Sequence, residues 1–146
     1  MNKIWIVGAV IAIAAIGATV SVTRDKQTIP PQAAGAPKEG EPIVTVSLPE
    51  SLSPEAQVGE RAFGAVCADC HGENAAGKEG FGPPLVHKIY EPSHHGDMAF
   101  FLAAERGVQA HHWSFGNMPP QQGLTRADVA GIVTYVRELQ RANGID

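Results

Sequence analysis

The 146-residue chain has two cysteines, and they stand three apart, at Cys67 and Cys70. With no second pair, a structural zinc site built on cysteines lacks its four ligands. No phosphate-binding glycine loop and no nucleophile motif is present. No strand pair and no internal repeat can be read, and the length leaves no second domain to host a substrate. Cationic charge is also short. From Leu48 onward seven Lys/Arg (Arg61, Lys78, Lys88, Arg106, Arg126, Arg137, Arg141) meet twelve Asp/Glu, a formal −5. That balance argues against nucleic acid as a partner and for a protein partner carrying a basic docking patch.

What the chain does have is Cys67-Ala68-Asp69-Cys70-His71, a C-x-x-C-H run and the attachment signature of a c-type haem. Thiols three residues apart on one helical turn project to the same side, where each can form a thioether to a haem vinyl group. His71 then offers an imidazole nitrogen to the iron. A thioredoxin-like C-x-x-C needs a neighbouring βαβ pattern, and this segment sits in a helical pattern with no strand before it. A bare disulfide leaves His71 unexplained. One covalent haem c on Cys67 and Cys70 is the expected cofactor.

Three segments follow from composition. Ile4 to Val22 carry no charge, and nineteen residues at a helical rise span about 28 Å, close to the hydrocarbon thickness of a bilayer. Ala12-Ile13-Ala14 fits the form of a cleavage site but lies mid-run. Residues 1–23 are therefore expected to form an uncleaved transmembrane signal anchor, with a cleaved signal peptide as the alternative. Residues 24–47 are rich in Pro, Ala, Gly and Gln, with Pro30, Pro31, Pro37 and Pro42, and read as a flexible linker spanning about 25–30 Å. Residues 48–146 form the domain, small enough to bury only a limited core. A covalent haem gives it a large apolar plate to pack around.

Three helices can be read in that domain. The first starts at Ser53 as N-cap, with Pro54 at the first helical position and Glu55 in the first turn. Its stripe of Ala56, Gly59, Phe63 and Val66 leads into Cys67. The second runs from Asp97 to Arg106, with Met98, Phe101 and Leu102 on one face and Gly107 as its stop. The third opens on the capping-box pattern Thr125-Arg126-Ala127-Asp128 and continues through Val129, Ile132, Val133, Val136 and Leu139 to Gly144. Between them lie Gly80-Phe81-Gly82-Pro83-Pro84-Leu85 and Gly116-Asn117-Met118-Pro119-Pro120. Loops of this kind suit the rim of a flat cofactor.

The sixth iron ligand decides between electron transfer and small-molecule chemistry. Met98 sits in a helical stripe, where a methionine is more often core packing. Met118 lies in a loop stiffened by two prolines, with no helical face to account for it. Met118 is the expected ligand, with Met98, a histidine or no ligand as alternatives. A thioether is a poor donor to ferric iron, so a His/Met pair favours the reduced state.

At this point the residues resemble a class I cytochrome c over nearly all of Ser53 to Ala142. Gly59 and Phe63 stand eight and four residues before Cys67; the resemblance implies that they pack against an aromatic on the last helix, a part Tyr135 would take. Gly82-Pro83-Pro84-Leu85 is similar to the family's G-P-x-L. It implies that the Pro83 carbonyl accepts the His71 Nδ1–H and that Leu85 touches the haem. Met118 before a proline resembles the axial methionine. The fold so implied is all-α, with three or more short helices wrapped around a covalent haem, preceded by the transmembrane helix.

Haem attachment in such proteins takes place on the translocated face of the membrane. This outweighs the positive-inside count of Lys3 before the span against Arg24 and Lys26 after it. The expectation is a single-pass protein of the bacterial inner membrane with its haem domain in the periplasm, and a carrier of single electrons rather than an enzyme. A haem subunit of a larger dehydrogenase or oxidase complex and a gas-sensing haem protein are the alternatives.

The chain departs from the family in a short His71–Met118 separation and in His94-His95 and His111-His112-Trp113. Neighbouring side chains in extended chain point opposite ways, so neither histidine pair is a ready chelate. A solvated loop or a hydrogen bond to a haem propionate is favoured over a second metal such as copper, although one histidine from each pair can still converge. Trp113 either donates its indole N–H to a propionate or covers the haem edge. His87 is given no special role.

Overall fold

Ser53 begins the helical part of the chain, because its Oγ accepts the Ala56 N–H at 3.2 Å and Pro54 needs no N–H partner at the first helical position. The computed structural model describes residues 35–146, and the expected anchor at residues 1–23 lies outside them. Helix α1 is Pro54–Val66, α2 is the single turn Ala68–His71, α3 is Asp97–Arg106 and α4 is Arg126–Ala142. Short turns at Glu73–Ala75 and Lys88–Tyr90 join them. The described residues are helical without a strand; only the isolated bridges Lys78–Gly82 and Val108–Met118 pair extended backbone. No helix among them is long and apolar enough to cross a membrane.

The capping box at Thr125 is complete, with Asp128 N–H donating to Thr125 Oγ1 and Thr125 N–H donating to Asp128 Oδ2. From there α4 buries Val129, Ile132, Val133, Tyr135, Val136 and Leu139 against Ala56 and Phe63 of α1. The two helices cross closely. A Cβ built on Gly59 would lie 1.8 Å from the Gly131 carbonyl oxygen, so only a glycine lets the backbones meet there. Phe63 packs on Tyr135 with ring centroids 5.6 Å apart.

Three expectations are corrected. The glycine of the first-helix stripe does not rest on Tyr135; its partner is the Gly131 backbone. Val66 is exposed, because the apolar stripe of α1 turns away from α4 before its last residue. Part of the segment expected as linker, residues 43–47, is tied to the domain. Ile43 and Val44 N–H groups donate to the Ala76 carbonyl at 3.2 and 3.1 Å, and the Ser47 backbone exchanges two hydrogen bonds with the Asn143 side chain. Val46 packs against the core. Backbone groups that find such partners stay on the domain, despite a composition that reads as loop.

Candidate functional site

Helix α1 delivers the cysteines. Cys67 ends it by donating its N–H to the Phe63 carbonyl at 2.7 Å, and the His71 N–H donates back to the Cys67 carbonyl at 2.9 Å. Cys67, Cys70 and His71 therefore share one turn, with Cys67 partly buried and Cys70 exposed. Burial, and secondarily the neighbouring Cys70, pushes the Cys67 thiol up to about 11. A lowered pKa marks a nucleophilic thiol, and the Cys67 shift is in the opposite direction.

The imidazole of His71 donates its Nδ1–H to the Pro83 carbonyl at 2.8 Å. That bond fixes the tautomer and leaves Nε2 with its lone pair free. Burial lowers the His71 pKa against a smaller upward pull from the Pro83 bond, and the neutral ring is the one that ligates a metal.

One apolar cavity of about 390 Å³ gathers the expected residues: Cys67, His71, Pro83, Leu85, Trp113 and Met118 all line it. Of the residues expected at the site, Cys70 alone lies outside that lining. Met118 is held by a reciprocal bridge, its N–H donating to the Val108 carbonyl and its carbonyl accepting the Val108 N–H, both at 2.9 Å. Gly107 permits the approach: it has φ +75°, and a Cβ there would lie 2.4 Å from the Met118 oxygen. Met98 is 56% exposed and does not line the cavity. The core-packing reading of Met98 is thus corrected, because α3 turns Ala99, Phe100 and Ala103 to the cavity instead.

Trp113 Nε1 is buried with no hydrogen-bond partner in the protein. A buried donor without an acceptor points to an acceptor on whatever the cavity holds.

The family model for cytochrome c matches residues 56–140. The chain belongs to the cytochrome c family. Nothing among curated proteins matches the chain. A cytochrome c binds covalent haem c, here through Cys67 and Cys70 of the C-x-x-C-H run, and serves as an electron carrier. The residues fit that group. The cavity is apolar, the His71 Nε2 is free, and the orphaned Trp113 N–H suits a carboxylate acceptor such as a haem propionate.

Several residues of this cytochrome c matter to the site and carry no motif. Asn74, with φ +55°, accepts the Tyr135 hydroxyl at 3.2 Å just after the haem-binding turn. The Tyr135 phenol, raised to about 12 by burial and then by Glu60, stays a neutral donor. His87 packs edge-on against Trp113 at 5.3 Å and accepts the Ile89 N–H on Nδ1, so it does have a part in shaping the cavity. Arg137 is buried on α4 and donates to Asp97 Oδ1, the Tyr90 and His95 carbonyls and Gln140 Oε1. A charged residue inside an otherwise apolar helical stripe was the available signal for Arg137.

Proposed function

We propose that this cytochrome c is a membrane-tethered periplasmic carrier moving single electrons between redox partners of a respiratory or related chain, with His71 and Met118 as axial ligands. The observation that carries this reading is that Met118 and His71 line one apolar cavity, His71 at the end of α2 and Met118 on a loop, each tied down by hydrogen bonds to backbone. When bound, the haem supplies a one-electron iron couple. Pro83 keeps His71 in its ligating tautomer. The bridge to Val108 holds the Met118 backbone in place, so its thioether is offered from the same position in both oxidation states. Trp113 would give its indole N–H to a propionate, and Leu85 would pack on the bound group. The acidic balance of the domain selects a partner with a basic patch. The charge-free run Ile4 to Val22 supports a single-pass anchor in the inner membrane, and the prolines after it support a tether.

Optical spectra of the haem-loaded protein, oxidised and then reduced with and without carbon monoxide, test the ligand set. The ferric protein is expected to show the weak far-red methionine-to-iron band, and the reduced protein to ignore carbon monoxide. Met118→Ala should lose the band and bind the gas. Ready carbon monoxide binding by the unsubstituted protein overturns the carrier reading and moves small-molecule chemistry to the front. Haem staining of separated membrane and periplasmic fractions tests the anchor; haem confined to the soluble fraction refutes it.

A further inference from the structure

His94-His95 and His111-His112 lie on two different loops, and His95, His111 and His112 stand at the lining of the haem cavity. Both loops fold so that neighbouring imidazoles share a side instead of alternating. The His94 and His95 N–H groups both donate to the Glu91 carbonyl, at 3.0 and 2.8 Å, and this turn brings the two rings to 4.7 Å between centroids. His111 and His112 are 4.2 Å apart by the same measure. The alternation of extended chain, on which a chelate looked unlikely from sequence, does not apply in a turn.

The two loops then meet. His94, His95 and His112 each offer a ring nitrogen, and these three atoms lie within 4.8 Å of one another. His94 Nε2 and His112 Nε2 are 3.4 Å apart. Metal–nitrogen bonds of about 2.0–2.1 Å in tetrahedral array set donors roughly 3.4 Å apart. A single N–H···N hydrogen bond accounts for that one pair and not for the approach of the His95 ring nitrogen to both. His95 donates its Nδ1–H to the Ile89 carbonyl at 2.7 Å, the arrangement by which metal-bound histidines are oriented, and this leaves its Nε2 as a lone-pair donor. Arg137 grips the His95 carbonyl and the Tyr90 carbonyl from α4, so the loop carrying two of the three rings is held from behind.

We propose that His94, His95 and His112 form a second metal site, for a divalent ion of the zinc–copper class, at the rim of the haem cavity. Three neutral imidazoles suit such ions and not magnesium or calcium, which require oxygen donors. Three protein ligands leave a fourth position for water or an exogenous ligand. His112 belongs to the loop that ends in the Val108–Met118 bridge, so an ion here ties the Met118 loop to the turn at Glu91. The site rests on the reading of Met118, and not one of these histidines, as the sixth haem ligand.

The test uses the full-length, haem-loaded protein carrying no polyhistidine tag, stripped with a chelator and then titrated with Zn²⁺ by calorimetry. Cu²⁺ electron paramagnetic resonance counts the coordinating nitrogens. One equivalent of Zn²⁺ per haem is expected, with nitrogen hyperfine structure for Cu²⁺. His94→Ala and His112→Ala should each weaken binding by at least about tenfold, while His111→Ala, outside the converging set, changes it by less than about threefold. An unchanged haem spectrum in every variant shows that the domain is intact. Absence of saturable binding, binding indifferent to His94→Ala and His112→Ala, or an equal loss in His111→Ala overturns the assignment.

Discussion

The two halves of the described chain are held by different forces. Between α1 and α4, packing does the holding: Ala56, Phe63, Val136 and Leu139 are at most 1% exposed. From Lys88 to Asp128 no residue is buried at all, and that half is kept in place by polar links. These are the Val108–Met118 bridge, the turn on the Glu91 carbonyl and the reach of Arg137 from α4. Its apolar side chains, among them Leu102 and Val108, line the cavity. A packed half fixes where Cys67 and His71 stand, because α1 runs straight into them. A loop half presents Met118 and the histidines from backbone that can be adjusted without disturbing the core.

The contrast breaks most sharply at the helix crossing. Gly59→Ala puts a methyl 1.8 Å from the Gly131 oxygen and 2.8 Å from the Ile132 nitrogen, both backbone atoms that cannot swing aside. We expect a loss of about 3 kcal/mol or more, or failure to incorporate haem. Gly131→Ala, on the facing helix, meets nothing closer than 3.3 Å. There the gain in helix propensity of about 1 kcal/mol offsets the tight contact, and the variant should lie within about 1 kcal/mol of the parent. Urea midpoints of the haem-loaded proteins measure both. Equal losses at the two glycines would show that the crossing relaxes and that packing does not decide this half.

That asymmetry also shows how far the sequence could be read. The three longer helices, the Ser53 and Thr125 caps and the C-x-x-C-H turn were legible, because periodicity, capping chemistry and a fixed spacing are local; the His71–Pro83 pairing came from the family resemblance. The partner of Gly59 was not, since a glycine has no side chain to mark what it faces. The convergence of His94, His95 and His112 was hidden for another reason. It depends on a turn at Glu91 and on a contact between loops eighteen residues apart, which no local pattern encodes. The ties of residues 43–47 to the domain come from partners at Ala76 and Asn143, which their own composition does not encode.

Arg137 joins the two halves, so its removal should separate them. Arg137→Met keeps much of the volume but leaves the Tyr90 and His95 carbonyls without that donor. A loss of about 2–3 kcal/mol is expected, with amide hydrogen exchange accelerated in residues 88–97 and little changed in α1. Asp97→Asn is the milder cut. The ion pair is 2.8 Å long, but the aspartate side chain is 64% exposed, and such pairs contribute under about 1 kcal/mol. Uniformly faster exchange across α1 and α4 in Arg137→Met would mean that the arginine holds the core and not the loop.

The smallest effect lies where the loop half hands the chain back to the packed half, at the start of α4. Thr125→Ala removes the Oγ1 that accepts the Asp128 N–H and donates to Asp128 Oδ2, for about 1 kcal/mol. The Thr125 side chain, and then its backbone N–H, hold the Asp128 carboxyl below its ordinary value of 3.8, against a smaller opposing effect of burial. A carboxylate lowered by folding contributes stability that is complete above that ordinary value and is lost as pH falls through the lower folded one. The gap between parent and Thr125→Ala, read as urea midpoints from about pH 6 to about pH 2, should therefore narrow toward acid. It narrows only in part, since the Oγ1 still accepts the Asp128 N–H when the carboxyl is neutral. A gap that stays constant to the acid limit would assign the whole effect to the neutral cap and none to the charge.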